Sequence, residues 1–315
     1  MELRKVGKLA LALLISLVLL WLIFQQIQPT DIVAVYQQIP LSLIVSGFFL
    51  FGISHLIRTF RFQYLLGRKI SFHDLFAVVC MHNILLALLP FRMGEFSIPY
   101  FLKKRNIKVT ESLGMLAVGR IFDILAIILL FFFSLLMVWN ELPAFLQGMR
   151  LYALILFVLL VLFIYFTVSH LQPLLRKWNN NQRTRTVALL LEKAHEIAES
   201  FQILRKQHGI TIVFCYTIII WILQFTWTYI VFSALLQSNL WIIIIGSALP
   251  ILATAIPIQG VGNFGTWEGV WGVTFMAFGL EQTLAFASGF VFHILNILYA
   301  LGMALYGLVV FYGRR

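Results

Sequence analysis

The sequence predicts an all-α polytopic membrane protein, with about six full spans and two re-entrant broken-helix hairpins arranged as two inverted repeats. Three observations predict it. Of 315 residues, 61% are hydrophobic and only 11% charged, against about 45 to 50% and about 25% in a soluble domain, which excludes an ordinary cytosolic enzyme; the mean hydropathy is +0.95. The apolar residues gather in runs near the length of about 20 residues that crosses about 30 Å of hydrocarbon. The basic residues stand in short clusters between those runs, so the net charge of +11 reports topology and not a nucleic-acid surface, which would interleave aromatics with one basic patch.

The first run, 9–25, follows MELRKVGK and has the charged start of a signal peptide. It is long, and no small-residue cleavage site follows, so it is expected as a retained first span. The second run, 41–60, ends near Arg58, Arg61, Arg68 and Lys69; the run 74–90 precedes Lys103, Lys104, Arg105 and Lys108. A simple crossing by 74–90 would set those two clusters on opposite faces, against the cytoplasmic preference of Lys and Arg. A hairpin over 72–102, entering from the cytoplasm and turning at LPFRMGE, removes the conflict, with Pro90 and Gly94 breaking the helix.

The next runs, 112–139, 151–169 and 210–236, are expected to cross. The run 240–257 is interrupted by IPIQGVGNFGTWEGV and followed by an apolar arm to Leu280. This predicts a second hairpin, entered from outside, with helix breaks at Pro257, Gly260, Gly262 and Gly265. A last span, 283–312, leads to Arg314 and Arg315. On this topology Arg92 and Arg120 lie within the membrane, Arg150 lies outside, and the other twenty of 23 basic residues are cytoplasmic. Both termini are cytoplasmic, in a bacterial-type inner (plasma) membrane. The chain is one integral domain, 1–315, with a first repeat over 1–140 and a second over 151–315. Each repeat crosses three times, so the two are inverted. In the polar segment 170–208, Leu190, Ala194, Ile197, Phe201 and Leu204 recur at helical spacing, which predicts an amphipathic helix near 186–207 on the cytoplasmic surface.

Charges within hydrocarbon cost about 2.5 to 3.5 kcal/mol each on insertion scales and mark pathways or binding sites. Arg92, Glu95, Arg120, Asp123 and Glu268 are such positions. Arg92 and Glu95 stand at the first break; Arg120 and Asp123, three apart, share a helical face; Glu268 repeats at the second hairpin the order Pro, Gly, Glu found at the first. The alternative is that they only neutralise one another, Arg92 with Asp123 and Arg120 with Glu95. Asn83, His293 and Asn296 are further polar groups in apolar helices, for which packing by hydrogen bonds is the competing reading. Cys80 and Cys215 read as structural thiols. HExxH, zinc-spaced Cys/His, Walker and GxSxG patterns are missing. Gly260, Gly262 and Gly265 spell GxGxxG inside an apolar hairpin, which is no dinucleotide context. No metal, cofactor or catalytic residue is expected.

Arg61 with Phe62, Asn83 with LLPFRMGE, Arg120 to Asp123 in GRIFD, and IPIQGVGNFGTWEG from Ile256 to Gly269 together resemble the flippase-like membrane domain of lysylphosphatidylglycerol synthases and its stand-alone relatives. The soluble aminoacyl-transfer domain of the synthases has no counterpart here. Two departures are the glycine at Gly119, often glutamate in the family, and the longer spacing from Pro257 to Glu268. The resemblance implies movement of lipids between leaflets, with aminoacylated phospholipids, polyprenyl-phosphate glycolipids or hopanoids as the family's lipids. The expected function is therefore a lipid translocase for a phospholipid or polyprenyl-phosphate-linked lipid. Its partners are lipids with anionic or zwitterionic heads; self-association into a homo-oligomer stays open, and nucleic acid is excluded. Two other readings are an intramembrane lipid-modifying transferase, for which Glu95 with His293 is the available pair, and a non-transporting accessory subunit of a cell-envelope lipid enzyme.

Overall fold

Apolar runs joined by prolines and caps give helices throughout the computed structural model, which describes residues 2–142, 209–254 and 261–313 with isolated positions between 147 and 162. Helix α1 (Glu2–Phe24) bends by 76° into α2 (Pro29–Gln37). Pro29 suits the first turn, where its missing N–H costs no helical bond, and the Gln28 amide donates to Asp31 Oδ2 at 2.7 Å. Pro40 precedes α3 (Leu41–Leu65). Ser71 caps α4 (Phe72–Leu88) by accepting from the Asp74 amide. Leu89 is extended, as a residue before proline prefers, so α4 stops there. A 3₁₀ segment, Pro90–Phe96, leads to α5 (Ser97–Lys103) and then α6 (Val109–Met137).

The later part comprises α7 (Gly209–Leu236), α8 (Leu240–Ala253), a short 3₁₀ turn Val261–Asn263, α9 (Thr266–Ala277) and α10 (Gln282–Gly313). Asn239 caps α8 through the Trp241 and Ile242 amides. Glu281 caps α10 by accepting from the Thr283 and Leu284 amides, and the Thr283 amide holds its carboxyl below the usual carboxylate range. Among the described residues four helices are long and apolar enough to cross a membrane, α3, α6, α7 and α10, or five if the bent pair of α1 and α2 is counted as one span. The chain is an integral membrane protein. The expected span 151–169 is described only at isolated positions, and the amphipathic helix near 186–207, Arg150, Pro257, Gly260, Arg314 and Arg315 lie outside the described residues.

The first hairpin folds back on itself. Arg105 reaches Asp74 at 3.0 Å, and Lys69 reaches Glu111 at 2.8 Å, so the chain before α4 and the chain after α5 meet at one end of the molecule. His82 of α4 contacts Ser97 Oγ at 2.8 Å, and Gly94 lies so close that a Cβ there would fall 2.4 Å from Leu85 O and Leu86 Cα. Only glycine allows that approach. The second hairpin returns to the other end: the α10 start bonds Gln26 through Gln282, and Asn239 bonds Glu141 after α6. The far end of α10 joins the first group, where Arg105 donates to the Phe311 carbonyl.

The hairpins thus enter from opposite ends and their turns meet in the middle, where Arg92 of the first donates to the Thr254 carbonyl at the end of α8 (3.0 Å). The main core packs α7, α9 and α10 around Trp227, Trp271 and Phe292, with ring centroids 4.6 to 4.9 Å apart at Phe292.

Candidate functional site

Helix α3 brings Arg61, fully buried, against α6. Its guanidinium donates to both oxygens of Asp123, at 2.8 and 3.1 Å, and to Thr217 Oγ1 of α7 at 2.9 Å. The Trp221 indole donates to Asp123 Oδ1 at 3.0 Å. The bidentate geometry is what a buried charge pair requires, and Arg61 Nε alone is left buried without a partner among the described residues. Gly119 makes room for it, since a Cβ there would sit 3.3 Å from Arg61 Nη2.

This corrects two expectations. Asp123 pairs with Arg61 and not with Arg92. Arg61, with Arg58, faces the inside of the helix bundle and is not part of an exposed basic cluster, because α3 runs on past both to Leu65 and turns them toward α6 and the cavity.

The other expected pair is present in a shared form. At the first break, Phe91 and Arg92 adopt left-handed conformations, φ 52° and 57°, which cost on the order of 1 to 2 kcal/mol per non-glycine residue and turn the chain within two residues. Arg92 thereby donates through Nε to Glu95 Oε1 at 2.8 Å, with Nη2 2.6 Å from the same oxygen. Arg120 Nε comes within 3.2 Å of that oxygen as well. One carboxylate serves two guanidinium groups. Arg92, Glu95 and Arg120 are 22%, 32% and 28% accessible, and the two arginines face open space.

That space is a cavity of about 160 Å³ at the meeting of the hairpins. Arg58, Arg92 and Arg120 line it together with Asn83, Asn263 and Asn296, and aromatic rings of α7, α9 and α10 (Trp221, Trp227, Trp267, Phe292) line it as well. Asn83 thus lines the same cavity as Arg92 and Arg120. Gln224 also lines the cavity and is held by Ser54 and by the Trp227 indole, at 3.0 and 2.7 Å. Arg58, Gln224 and Asn263 escape sequence reasoning; Arg58 had a signal, being three residues from Arg61 and so on its helical face.

Glu268 and His293 form a second, separate pair. Glu268 sits on the first turn of α9, wholly buried, accepting from the Gly265 amide at 2.7 Å, with His293 Nδ1 2.7 Å from its other oxygen. Gly265, at φ 86°, could not carry a side chain: a Cβ would fall 2.4 Å from Leu19 Cβ of α1. Gly262, at φ 63°, turns the second break. His293 thus faces Glu268 and not Glu95, so the pair that a transferase reading relied on is not assembled. Among the described residues no group of three or more His, Cys, Asp or Glu side chains is placed to hold a metal ion.

The family model described as "Lysylphosphatidylglycerol synthase TM region" matches residues 9–302. No curated protein and no solved structure matches the chain.

Proposed function

We propose that this chain, which belongs to the lysylphosphatidylglycerol synthase TM-region family, is a lipid translocase that moves a phospholipid or polyprenyl-phosphate-linked lipid between leaflets. The observation that carries the reading is the cavity where the two hairpin turns meet, with Arg58, Arg92 and Arg120 on its wall. Charge in an apolar bundle is retained where it handles a polar substrate. Broken helices meeting at mid-bundle are the usual place for a transporter's site. The head group enters this cavity, the arginines offset its phosphate, Glu95 sets the direction of Arg92 and Arg120, and the tails stay in the bilayer.

The hairpins act as re-entrant elements of two inverted repeats, one entering from each side. Two aspects of the geometry support that reading: the opposite ends to which the hairpins return, and the contact between their turns. The basic end, with Arg68, Lys69 and Lys103 to Lys108, faces the cytoplasm. The membrane is a bacterial-type inner membrane.

The test is reconstitution in liposomes with a head-labelled lipid, read by a membrane-impermeant quencher and, in the same samples, by mass spectrometry of the lipid. The expected result is leaflet exchange above protein-free liposomes with the lipid's mass unchanged. A changed head group without exchange would replace the translocase by a transferase.

A further inference from the structure

Arg58 differs from its neighbours on the cavity wall. Arg92 and Arg120 share Glu95, and Arg61 is matched by Asp123. Arg58 has no hydrogen-bond or ion-pair partner among the described residues, and its Nε is buried without one. Asp123 is already occupied by Arg61 and the Trp221 indole, and Glu268 is directed to His293 and the Gly265 amide. Arg92 and Arg120 thus share one carboxylate and Arg58 has none, so among the described residues two positive charges on the cavity wall lack a counterion.

Uncompensated charge in a low-dielectric interior is expensive, and guanidinium groups are matched best by oxyanions that accept forked hydrogen bonds. A monoanionic phosphodiester would leave one charge unmatched, and a zwitterion both. A phosphomonoester carries about 1.5 to 2 negative charges near neutral pH and three acceptor oxygens, enough to match both charges and to reach three arginines. On the same wall the side-chain oxygen of Asn263 is buried without a partner, an acceptor for a hydroxyl or for the proton of a phosphate oxygen. The cavity, about 160 Å³, has room for a phosphate group.

We propose that this cavity is a phosphomonoester site, selective for the terminal phosphate of a lipid, with Arg58 as the residue that sets the preference over a phosphodiester. The inference rests on the translocase reading for its lipid but not for its charge.

The test measures binding to the detergent-purified full chain of phosphatidic acid (a monoester), phosphatidylglycerol (a diester) and phosphatidylcholine (a zwitterion) of equal acyl length, with glycerol 3-phosphate as a soluble arm. The expected result is phosphatidic acid binding about tenfold tighter than phosphatidylglycerol, and phosphatidylcholine weakest. Weaker binding of glycerol 3-phosphate than of phosphatidic acid would support both the monoester site and its lipid source; equally tight binding would keep the monoester site and overturn its selectivity for a lipid. Arg58→Gln should bring the first two lipids to near parity without lowering Tm, because it breaks no bond, and Arg58→Lys should keep the preference. Equal binding of monoester and diester by the wild type, or an undiminished preference in folded Arg58→Gln, would overturn the proposal. Monoester preference without leaflet exchange would leave this inference standing and remove the translocase; exchange without preference would do the reverse.

Discussion

At the scale of single residues, Asp123 is a buried lock, whereas Glu95 is the partly exposed carboxylate that we propose orients the arginines for the head group. Asp123 is buried and accepts from Arg61 and from the Trp221 indole, while Thr217 accepts from Arg61, so removing its charge strands a guanidinium. Asp123→Asn should cost about 3 to 5 kcal/mol, as broken buried pairs do, and lower Tm in detergent. Glu111→Gln, which disrupts the exposed contact with Lys69, should cost about 0 to 1 kcal/mol. Equal, small shifts for both would mean that Asp123 is solvated. The sequence showed Asp123 as a charge needing a partner but hid the partner. The preference of arginine for the cytoplasmic side assigned Arg61 outward, and only the length of α3, which extends past it to Leu65, draws it in. Glu95 was legible because Pro90 and Gly94 mark a break beside it, whereas its sharing between Arg92 and Arg120 depends on the left-handed backbone at Phe91 and Arg92, which ordinary side chains do not announce.

At the scale of elements, each hairpin depends on close backbone approach. Gly94 rests on the backbone of α4 at Leu85 and Leu86, and those atoms belong to a helix that cannot yield locally. Gly94→Ala should therefore destabilise by about 1 to 3 kcal/mol, the usual range for overpacking, and part the first turn from α4. Gly52→Ala, inside α3 with only Met303 Sδ at 3.8 Å, should be neutral or stabilising by up to about 1 kcal/mol through helix propensity. Thermal unfolding in detergent reads both; an unchanged Tm in Gly94→Ala would mean that the turn is looser than described. Prolines and glycines made the breaks readable in sequence. Which arms pack together was not readable, since α4 and α8 are apolar on nearly every side and carry no stripe that selects a partner.

At the scale of the whole molecule, charge and connectivity agree. Among the described residues the end holding Arg68, Lys69, Lys103, Lys104, Arg105 and Lys108 also holds the Arg105 contacts to Asp74 and Phe311, while the end with Gln26, Glu141 and Gln282 carries no Lys or Arg. Single cysteines at Ser71 and Asn106, in a background lacking Cys80 and Cys215, should label from one face of the membrane and a cysteine at Gln38 from the other. Ser71 and Asn106 labelling from opposite faces would remove the first re-entrant hairpin. The basic clusters made this polarity legible, and the meeting of the two turns was suggested only by the repeated order Pro, Gly, Glu. What ties the architecture to a function is the cavity between those turns, so the most direct measurement is leaflet exchange of a head-labelled lipid by Arg92→Gln and Glu95→Gln in proteoliposomes, with insertion and folding matched to the wild type. The account predicts exchange at least about tenfold slower in both, since each change removes charge at the turn where the head group sits, and Glu95→Gln does so while keeping the side chain's shape. Exchange as fast as that of an active wild type in both variants would contradict it, leaving the charges at the hairpin turns a purely structural role.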